Sequence, residues 1–286
     1  MPLLIDQNLC VDCGSCIGNC PNRAIIRRGG EVVITNMCCD CGTCIRFCAL
    51  GAIGKGKTKA ELNHKKLDKA LKNKLFLKKD IVAMKFADTP PKGVPLEDGL
   101  NFWCHICGDI FEGNGKPVFF TAENSICGGS AALGLGTRRV NRDDVITMIG
   151  IMTGEGGYHT TNDLFTKSRP LYPKFPRVYG GLILGSLAEV IMPDVVLISL
   201  NGKQMSMLST AYAFETGESI PGDAGGGTCL ETVVIPFLEN RPVFTCGDHG
   251  GRMHMRLKDE EILVCIPYRL VPGLVANLDR TVYANE

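Results

Sequence analysis

The stretch CVDCGSCIGNCP at residues 10–21 and its near copy CCDCGTCIRFCAL at residues 38–50 decide the fold of the N-terminal region. Together they hold nine of the fifteen cysteines of this 286-residue chain. Such a density indicates either a disulfide scaffold or a set of metal-ligating thiolates. The start MPLLIDQN lacks the features of a secretory signal, and the apolar stretch 178–200 is interrupted by Glu189, Pro193 and Asp194. We therefore expect a cytoplasmic protein without a membrane span, whose clustered thiols bind metal.

The cysteine spacing indicates iron–sulfur clusters. In each stretch three cysteines are separated by two residues, and a fourth follows after three more. Such gaps direct three sulfurs at one cube, while the fourth sulfur reaches the other cube. We therefore assign one [4Fe-4S] cluster to Cys10, Cys13, Cys16 and Cys48, and the other to Cys38, Cys41, Cys44 and Cys20. Zinc is the alternative, but four-cysteine zinc sites usually use two well-separated pairs. Cys39 lies outside the pattern and is interpreted as a space-filling thiol.

On these motifs, residues 1–56 resemble a bacterial-type two-cluster ferredoxin. The resemblance includes the internal repeat, in which CPNRAI at residues 20–25 matches CALGAI at residues 48–53. It departs from the usual pattern at one position, since Ala49 rather than proline follows Cys48. We place a domain boundary at this point, so that residues 57–286 form a second domain.

A lysine-rich segment over residues 54–79 spans this boundary and leads into the second domain. Leu67, Leu71 and Leu75 recur every four residues, which predicts a helix with one buried stripe and lysines facing solvent. The lysines indicate either a plain solvated face or a docking surface for an acidic redox partner. A nucleic-acid role is disfavoured because the net charge is only +1 and no aromatic residues interleave the lysines.

The rest of the chain mixes β and α patterns. Short β-branched and aromatic runs at residues 81–87, 117–122, 195–200, 242–246 and 261–267 predict buried strands. The stretches 204–217 and 229–240 predict helices. The fold class is α+β, with a small two-cluster ferredoxin domain followed by a larger mixed domain.

An internal repeat organises this larger domain. Cys104 is followed by twelve residues and then PVFFTAENSICGG, and Cys229 is followed by twelve residues and then PVFTCGDHGGR. Each unit, at about residues 100–130 and 225–255, predicts a cysteine at a helix start, a strand opened by Pro-Val-Phe, and a glycine-rich loop with a cysteine, Cys127 or Cys246. We expect the two units to pack about a pseudo-twofold axis, which brings their loops together.

The repeated cysteines are the candidate cofactor site of the second domain. The positive potential at a predicted helix N-terminus lowers the pKa of a thiol there, and the neighbouring glycines let backbone amides approach a cofactor. The candidate cofactor-binding residues are Cys104, Cys127, Cys229 and Cys246, with Gly128, Gly129, Gly226 and Gly227. They predict a third iron–sulfur cluster or another redox cofactor, and the alternative is four small buried hydrophobic residues.

Polar residues follow Cys246 directly. Asp248, His249 and Arg252 are the candidate catalytic residues, as a carboxylate, a proton donor and an anion clamp. His105 and His254 lie near the same motifs. The turn with Asn201, Lys203 and Gln204 is a further candidate ligand site at the end of a strand.

The second domain also resembles a family of uncharacterised domains found widely in anaerobic archaea and bacteria. The resemblance covers most of residues 67–280, including IVAMKF (81–86), TAENSICGGSAALGLG (121–136) and the tail from CGDHGGR (246–252) to EEILVCIP (260–267). It implies an anaerobic setting but no established activity.

Three functions remain open from the sequence. The first is a ferredoxin-linked reductase that delivers low-potential electrons to a cofactor or substrate of the second domain. The second is a non-catalytic electron-transfer subunit that docks to a larger redox complex. The third is a metal- or tetrapyrrole-binding carrier or sensor. The sequence leaves the substrate and any homo-oligomeric state open.

Overall fold

The structure is a computed structural model that describes residues 3–7, 10–35, 37–55, 64–126, 133–136, 178–222 and 227–285. The chain divides into two compact units. One comprises Met1–Leu62 with Leu238–Asn240, and the other comprises Asn63–Phe237 with Arg241–Glu286. Both contain helices and strands, which confirms the predicted α+β class. Within the described part of the chain, no helix combines the length and the apolar character needed to cross a membrane.

The first unit contains two antiparallel ribbons and two short helices. Strand β1 (Leu3–Ile5) pairs with β4 (Ile53–Lys55), and β2 (Ile25–Arg28) pairs with β3 (Glu31–Ile34). The helices are α1 (Ser15–Gly18) and α2 (Thr43–Phe47). They begin after Gly14 and Gly42, whose φ angles of 74° and 73° are left-handed. Glycine adopts this conformation without steric cost, so both cysteine loops can turn sharply into their helices.

The core of the first unit is small and partly made of sulfur. Its buried residues are Leu3, Cys16, Ile25, Val32, Cys44 and Ile53. Domains of this size rarely obtain enough stability from a hydrophobic core alone, and many rely on a structural metal. The presence of two ligand-type cysteines inside the core indicates that metal binding and folding are coupled here.

The described part of the second unit contains a six-stranded antiparallel sheet. Its strands are β5 (Val82–Ala87), β6 (Val118–Phe120), β7 (Gly181–Ser186), β8 (Val195–Leu200), β9 (Val243–Thr245) and β10 (Ile262–Pro267). Their spatial order is β6-β7-β5-β8-β10-β9. The order has twofold symmetry. In each half, the first strand in sequence (β5 or β8) lies at the centre of the sheet, the third (β7 or β10) lies next to it, and the second (β6 or β9) lies at the edge. The sequence did not predict β7; the other five strands lie where it predicted them.

The strand registers carry this symmetry to single residues. At the centre, β5 pairs with β8 through Val82 and Leu197, Ala83 and Val196, and Met84 and Val195. A pseudo-twofold axis beside Ala83 and Val196 therefore exchanges the two halves. In one half Val118 lies opposite Leu184, and in the other half Val243 lies opposite Cys265. When these pairs are followed outward from the axis, the two Pro-Val-Phe segments occupy equivalent positions.

Backbone hydrogen bonds extend the repeat beyond the sequence similarity. The amide of Phe119 donates to the carbonyl of Pro95 at 2.8 Å, and the amide of Phe244 donates to the carbonyl of Pro221 at 3.1 Å. Each edge strand is thus flanked by an equivalent proline-containing segment. The repeated unit begins near these prolines, earlier than the sequence indicated.

One face of the sheet packs against α3 (His64–Lys74), α5 (Gly202–Thr216) and α8 (Val271–Leu278). As predicted, Leu67, Leu71 and Leu75 are buried in this layer. Some of the lysines on α3 form ion pairs within the unit. The ammonium of Lys72 lies 3.0 Å from Asp68 and 2.7 Å from Asp80. Lys72 therefore links α3 to the segment that follows it, through Asp80.

The opposite face packs against α4 (Trp103–Phe111) and a second helix that starts with the π-helical turn Leu230–Val234 and continues as α6 (Ile235–Glu239). The ring centroids of Phe237 and Phe86 are 4.5 Å apart. Burial raises the pKa values of Cys107 on α4 and Cys265 on β10, and the charge of Cys265 adds to the shift at Cys107. These two thiols are neighbouring core residues.

Short helices complete the second unit. Helix α7 (His249–His254) packs beside α4, and 3₁₀ turns occur at Ala122–Asn124, Tyr268–Leu270 and Val282–Asn285. The contact between α4 and α7 depends on Gly108. A Cβ at Gly108 would clash with the carbonyl oxygen of His254 and lie 3.2 Å from Met255 Cα. Only glycine allows this approach of two backbones.

The Gly108→Ala variant should therefore be less stable, although alanine is the better helix former by about 1 kcal/mol. We expect the clash to lower the free energy of unfolding by about 1–3 kcal/mol, measured by chemical denaturation. Gly202→Ala is the matched control, because a Cβ there meets no atom within 4 Å. Equal stability of the two variants would contradict the close contact.

Candidate functional site

The first cysteine set surrounds one cavity. Cys10, Cys13 and Cys16 lie on the loop before α1 and in its first turn, and Cys48 follows α2 directly. All four line a cavity of about 220 Å³ in the first unit. The remaining lining is mostly apolar, with Ile5, Val32 and Ile53 among the residues. The fold therefore brings the fourth cysteine of the second motif to the first three cysteines.

The second cysteine set shows the same exchange through its electrostatics. Burial raises the pKa of Cys44, and the charges of Cys20 and Cys41 raise it further. Burial also raises the pKa of Cys38 to about 11, with Asp40 and Cys44 adding to the shift. The effect of Cys20 on Cys44 is consistent with Cys20 of the first motif lying near the cysteines of the second.

The fourth cysteine of each set is held by the same backbone contact. The amide of Ala24 donates to the sulfur of Cys20 at 3.2 Å, and the amide of Ala52 donates to the sulfur of Cys48 at 3.2 Å. Amide donation stabilises the thiolate form and tunes a bound cluster. The two ligand positions are thus prepared in the same way by both halves of the unit.

A hydroxyl accompanies the middle cysteine of each motif. Ser15 Oγ lies 3.6 Å from Cys13 Sγ, and Thr43 Oγ1 lies 3.3 Å from Cys41 Sγ. Hydrogen bonds from the following serine or threonine lower the pKa values of both thiols. The thiolate, which is the ligating form, is therefore favoured at these exposed positions.

The donor set fits an iron–sulfur cube better than a single ion or a disulfide. All cysteines within the described residues are free thiols. In the same residues, no three His, Cys, Asp or Glu side chains converge closely enough to hold one metal ion. Four sulfurs around a cavity of about 220 Å³ instead suit a group larger than one ion. The residues present fit a [4Fe-4S] cluster.

The two sets differ in what surrounds them. Beside the first set, Val11, Phe47 and Leu50 are apolar and 69%, 46% and 54% exposed. At the equivalent positions of the repeat, the second set has Cys39, Asn19 and Asn22. The first set therefore has three exposed apolar neighbours, whereas the equivalent positions beside the second set carry a thiol and two amide side chains.

In the second unit, Cys104 and Cys229 take equivalent positions. Cys104 lies in the first turn of α4, and Cys229 directly precedes the π-helical turn. Both are buried. Gly227, just before Cys229, has a left-handed φ of 116°. The predicted candidates Cys127, Gly128, Gly129 and Gly226 lie outside the described residues.

The strand registers match Phe119 with Phe244, so the residue that corresponds to Cys246 by register is Thr121. Cys127, the cysteine predicted in the other loop, lies outside the described residues. Cys246 is exposed and directly follows β9.

The segments that carry Cys229 and Cys246 are hydrogen-bonded to each other on both sides of the cysteines. The amide and the hydroxyl of Thr228 donate to Asp248 Oδ2 at 2.6 and 2.5 Å. The hydroxyl of Thr245 donates to Glu231 Oε2 at 2.5 Å. Glu231 is a fully buried acid within the π-helical turn. Glu231 was not among the predicted site residues, although its sequence carries a signal, namely an acid inside the apolar run 229–237.

Asp248 and Arg252 were expected at the rim of a ligand pocket, but their polar atoms contact the protein. Asp248 also caps α7, because Oδ1 accepts a hydrogen bond from the amide of Gly251 at 2.8 Å. The guanidinium of Arg252 donates to the carbonyls of Cys246, Lys258 and Glu261 at 2.7, 2.6 and 3.0 Å. These two residues hold the loop after β9 in place. His249 is exposed at the first position of α7.

The structure instead brings two other histidines together. His254 stacks on Phe102 with ring centroids 4.2 Å apart, and its ring lies 6.1 Å from that of His105. Burial lowers the pKa of His254, and the charge of His105 lowers it further. Arg256 contacts His105 Nε2 at 3.2 Å and Asp109 Oδ1 at 2.6 Å. The lowered pKa favours the neutral form of His254, whose backbone packs against Gly108 of α4.

These features define an iron–sulfur protein with a cysteine-containing α+β domain. A 4Fe-4S binding domain, Fer4, matches residues 3–26, and the general role of such a domain is electron transfer. The profile of DUF169, described as an uncharacterised ArCR, matches residues 70–277, so the chain belongs to this family. No curated protein and no solved structure matches the chain significantly.

The Asp248→Ala variant tests the structural role of this carboxylate. It removes the cap of α7 and leaves the buried groups of Thr228 without their acceptor. We expect the free energy of unfolding to fall by about 2–4 kcal/mol, with the iron content unchanged. Asp259→Ala on an exposed loop is the control and should leave both quantities unchanged. Loss of iron in Asp248→Ala would show instead that Asp248 belongs to a metal site.

Proposed function

We propose that the first unit holds two [4Fe-4S] clusters and supplies low-potential electrons to a cofactor or substrate of the second domain. The observation that carries the cluster assignment is the cavity shared by Cys10, Cys13, Cys16 and Cys48. Cys38, Cys41, Cys44 and Cys20 are the proposed ligands of the second cluster, supported by the charge coupling among them. A bound [4Fe-4S] cluster takes up and releases single electrons.

The chain's own residues prepare both sites for this role. The amides of Ala24 and Ala52 stabilise the fourth thiolates, and the left-handed glycines Gly14 and Gly42 shape the loops. The free thiols suit the reducing cytoplasm of an anaerobe. The fusion of this unit to a DUF169 domain in one chain supports electron delivery to that domain, where Cys104, Cys229 and Cys246 mark the proposed acceptor region.

The different surroundings give the two clusters different roles. Apolar neighbours such as Phe47 and Leu50 disfavour the added negative charge of a reduced cluster, whereas polar neighbours such as Asn19 and Asn22 favour it. We therefore assign the lower reduction potential to the cluster of Cys10 and the higher potential to the cluster of Cys38. Electrons at equilibrium then collect on the second cluster.

A second candidate function is an electron-transfer subunit that docks to a larger complex or to an acidic redox partner. The lysines Lys66 and Lys69 favour it, because they are exposed on α3 while Leu67 and Leu71 of the same helix are buried. The two functions differ in one observable. A reductase whose clusters have been reduced converts its substrate without another protein, whereas an electron-transfer subunit shows turnover only when its partner is present.

The ligand exchange between the motifs is tested by paired variants. Anaerobically purified protein should contain about eight irons, four for each cube. Cys13→Ala/Cys48→Ala should retain about four irons, because both cysteines hold the same cluster. Cys13→Ala/Cys20→Ala should lose nearly all iron, since it damages both clusters. Cys39→Ala is the control and should retain all iron. The reverse order of the two double variants would refute the exchange, and zinc in place of iron would refute the clusters.

The assignment of potentials is tested by exchanging the two residues that precede the fourth cysteines. Phe47→Asn should raise the reduction potential of the lower-potential cluster, and Asn19→Phe should lower the potential of the other cluster. Redox titration followed by electron paramagnetic resonance measures both. If Phe47→Asn shifts only the higher-potential cluster, the assignment is reversed.

A further inference from the structure

A cavity of about 660 Å³ lies in the second unit, between one face of the sheet and the segment that follows β5. Its size falls within the range of about 300–1,000 Å³ that is usual for small-molecule sites. Much of the lining is apolar and includes Val94, Pro95, Pro117, Ile183 and Val190. The charged residues of the lining are Lys85, Lys92, Lys116 and Glu189. This sheet cavity thus combines an apolar surface with an excess of positive charge.

Lys85 is the charged residue that the sheet itself contributes to the cavity. It lies within β5, a central strand, directly opposite Ile183 of β7. Because side chains alternate along a strand, Lys85 faces the same side as Ala83, which belongs to the core beneath α3, α5 and α8. Lys85 is only partly buried, and its ammonium donates to the carbonyl of Ile191 at 3.2 Å. An ammonium carries three donors, so this contact leaves two for a ligand.

The pseudo-twofold axis identifies the residue that takes the place of Lys85 in the other half. The axis beside Ala83 and Val196 makes Ile198 the counterpart of Lys85, since each lies two residues further along its strand. Ile198 is 1% exposed within the core. Helix α5 follows β8 and helps to cover that core, whereas residues 88–95 follow β5 without a helix. The first half thus has a cavity and a lysine where the second half has a covered isoleucine.

The wall opposite the sheet is held in place by backbone hydrogen bonds. The amide of Val94 donates to the carbonyl of Pro91 at 3.1 Å, which closes a four-residue turn. Gly93 has a left-handed φ of 88° at the third position of this turn, as a type II turn requires. The carbonyl of Pro95 accepts a hydrogen bond from the amide of Phe119 on the edge strand β6 at 2.8 Å. The cavity is therefore preformed, which lowers the free-energy cost of binding a ligand.

Two further lysines lie at the rim of the sheet cavity. Lys92 is at the tip of the turn, and Lys116 lies just before Pro117 and β6. Both are exposed, and neither has an interaction partner among the described residues. Glu189, the acid in the lining, accepts a hydrogen bond from the hydroxyl of Ser186 at 2.8 Å. The potential at the entrance is therefore positive and attracts an anion.

We propose that the sheet cavity binds a carboxylic acid with an apolar body. The carboxylate contacts the ammonium of Lys85, and the apolar body lies against the surface formed by residues such as Ile183 and Val190. A carboxylate suits this wall better than a phosphate, because one ammonium inside an apolar lining balances one negative charge. Lys92 and Lys116 add attraction at the entrance. The proposal goes beyond the electron-transfer function and does not depend on it.

Calorimetric titration of the full, cluster-loaded chain with octanoate under anaerobic conditions tests the proposal. Octanol has the same apolar body without the charge, and acetate has the carboxylate without the body. Octanoate should bind about tenfold or more tightly than either, because it makes both kinds of contact. Failure of octanoate to bind at about 1 mM would overturn the proposal. Equal affinity for octanoate and octanol would also overturn it, as would binding of inorganic phosphate as tight as that of octanoate.

Three variants separate the contributions. Lys85→Ile introduces the residue found at the equivalent position of the second half, and it should weaken octanoate binding about tenfold or more while leaving octanol binding unchanged. Lys92→Gln/Lys116→Gln should weaken octanoate binding about two- to tenfold, and less at high salt, since these exposed charges are screened. Lys66→Gln/Lys69→Gln removes the same charge from α3 and should bind octanoate as the native chain does. Unchanged octanoate binding by Lys85→Ile would overturn the site, as would equal weakening by the two double variants.

Discussion

The antiparallel pairing of β5 with β8 is the contact on which the second unit depends. Within the described residues each half has three strands. If a half stood alone, β5 or β8 would be an edge strand and would expose its unpaired edge to solvent. Joining the two edges at Ala83 and Val196 produces one continuous sheet and buries strands that are apolar on both faces. It also fixes the axis that relates the two halves, and hence the equivalent positions of Cys104 and Cys229.

The two halves have diverged in ways that explain the sites. Between β8 and Pro221 the chain inserts α5, whereas between β5 and Pro95 it has only a short connection without a helix. The first unit shows a related divergence, because equivalent positions beside the two cysteine sets carry Phe47 and Leu50 in one case and Asn19 and Asn22 in the other.

Much of this arrangement could be predicted from the sequence, and the exceptions have physical reasons. Spacing identified the cysteine sets, and the Pro-Val-Phe repeat identified equivalent strands. Strand β7 was missed because Gly181 and Gly185 weaken its strand signal. Both glycines are required by packing, since a Cβ would lie 2.5 Å from the Phe119 ring at Gly181 and 2.8 Å from Val190 at Gly185. The contacts of Arg252 could not be predicted either. Its guanidinium donates to backbone carbonyls of three residues, and a backbone carbonyl leaves no signal in the sequence.

The long separation between Val82 and Leu197, which pair at the centre of the sheet, has a consequence for biosynthesis. Ribosomes add about 5–20 residues per second, so β5 emerges on the order of ten seconds before β8. During this interval one edge of an apolar strand has no neighbour, and the nascent chain is exposed to wrong pairing with other chains. This edge therefore gains its partner strand only when translation reaches the second half.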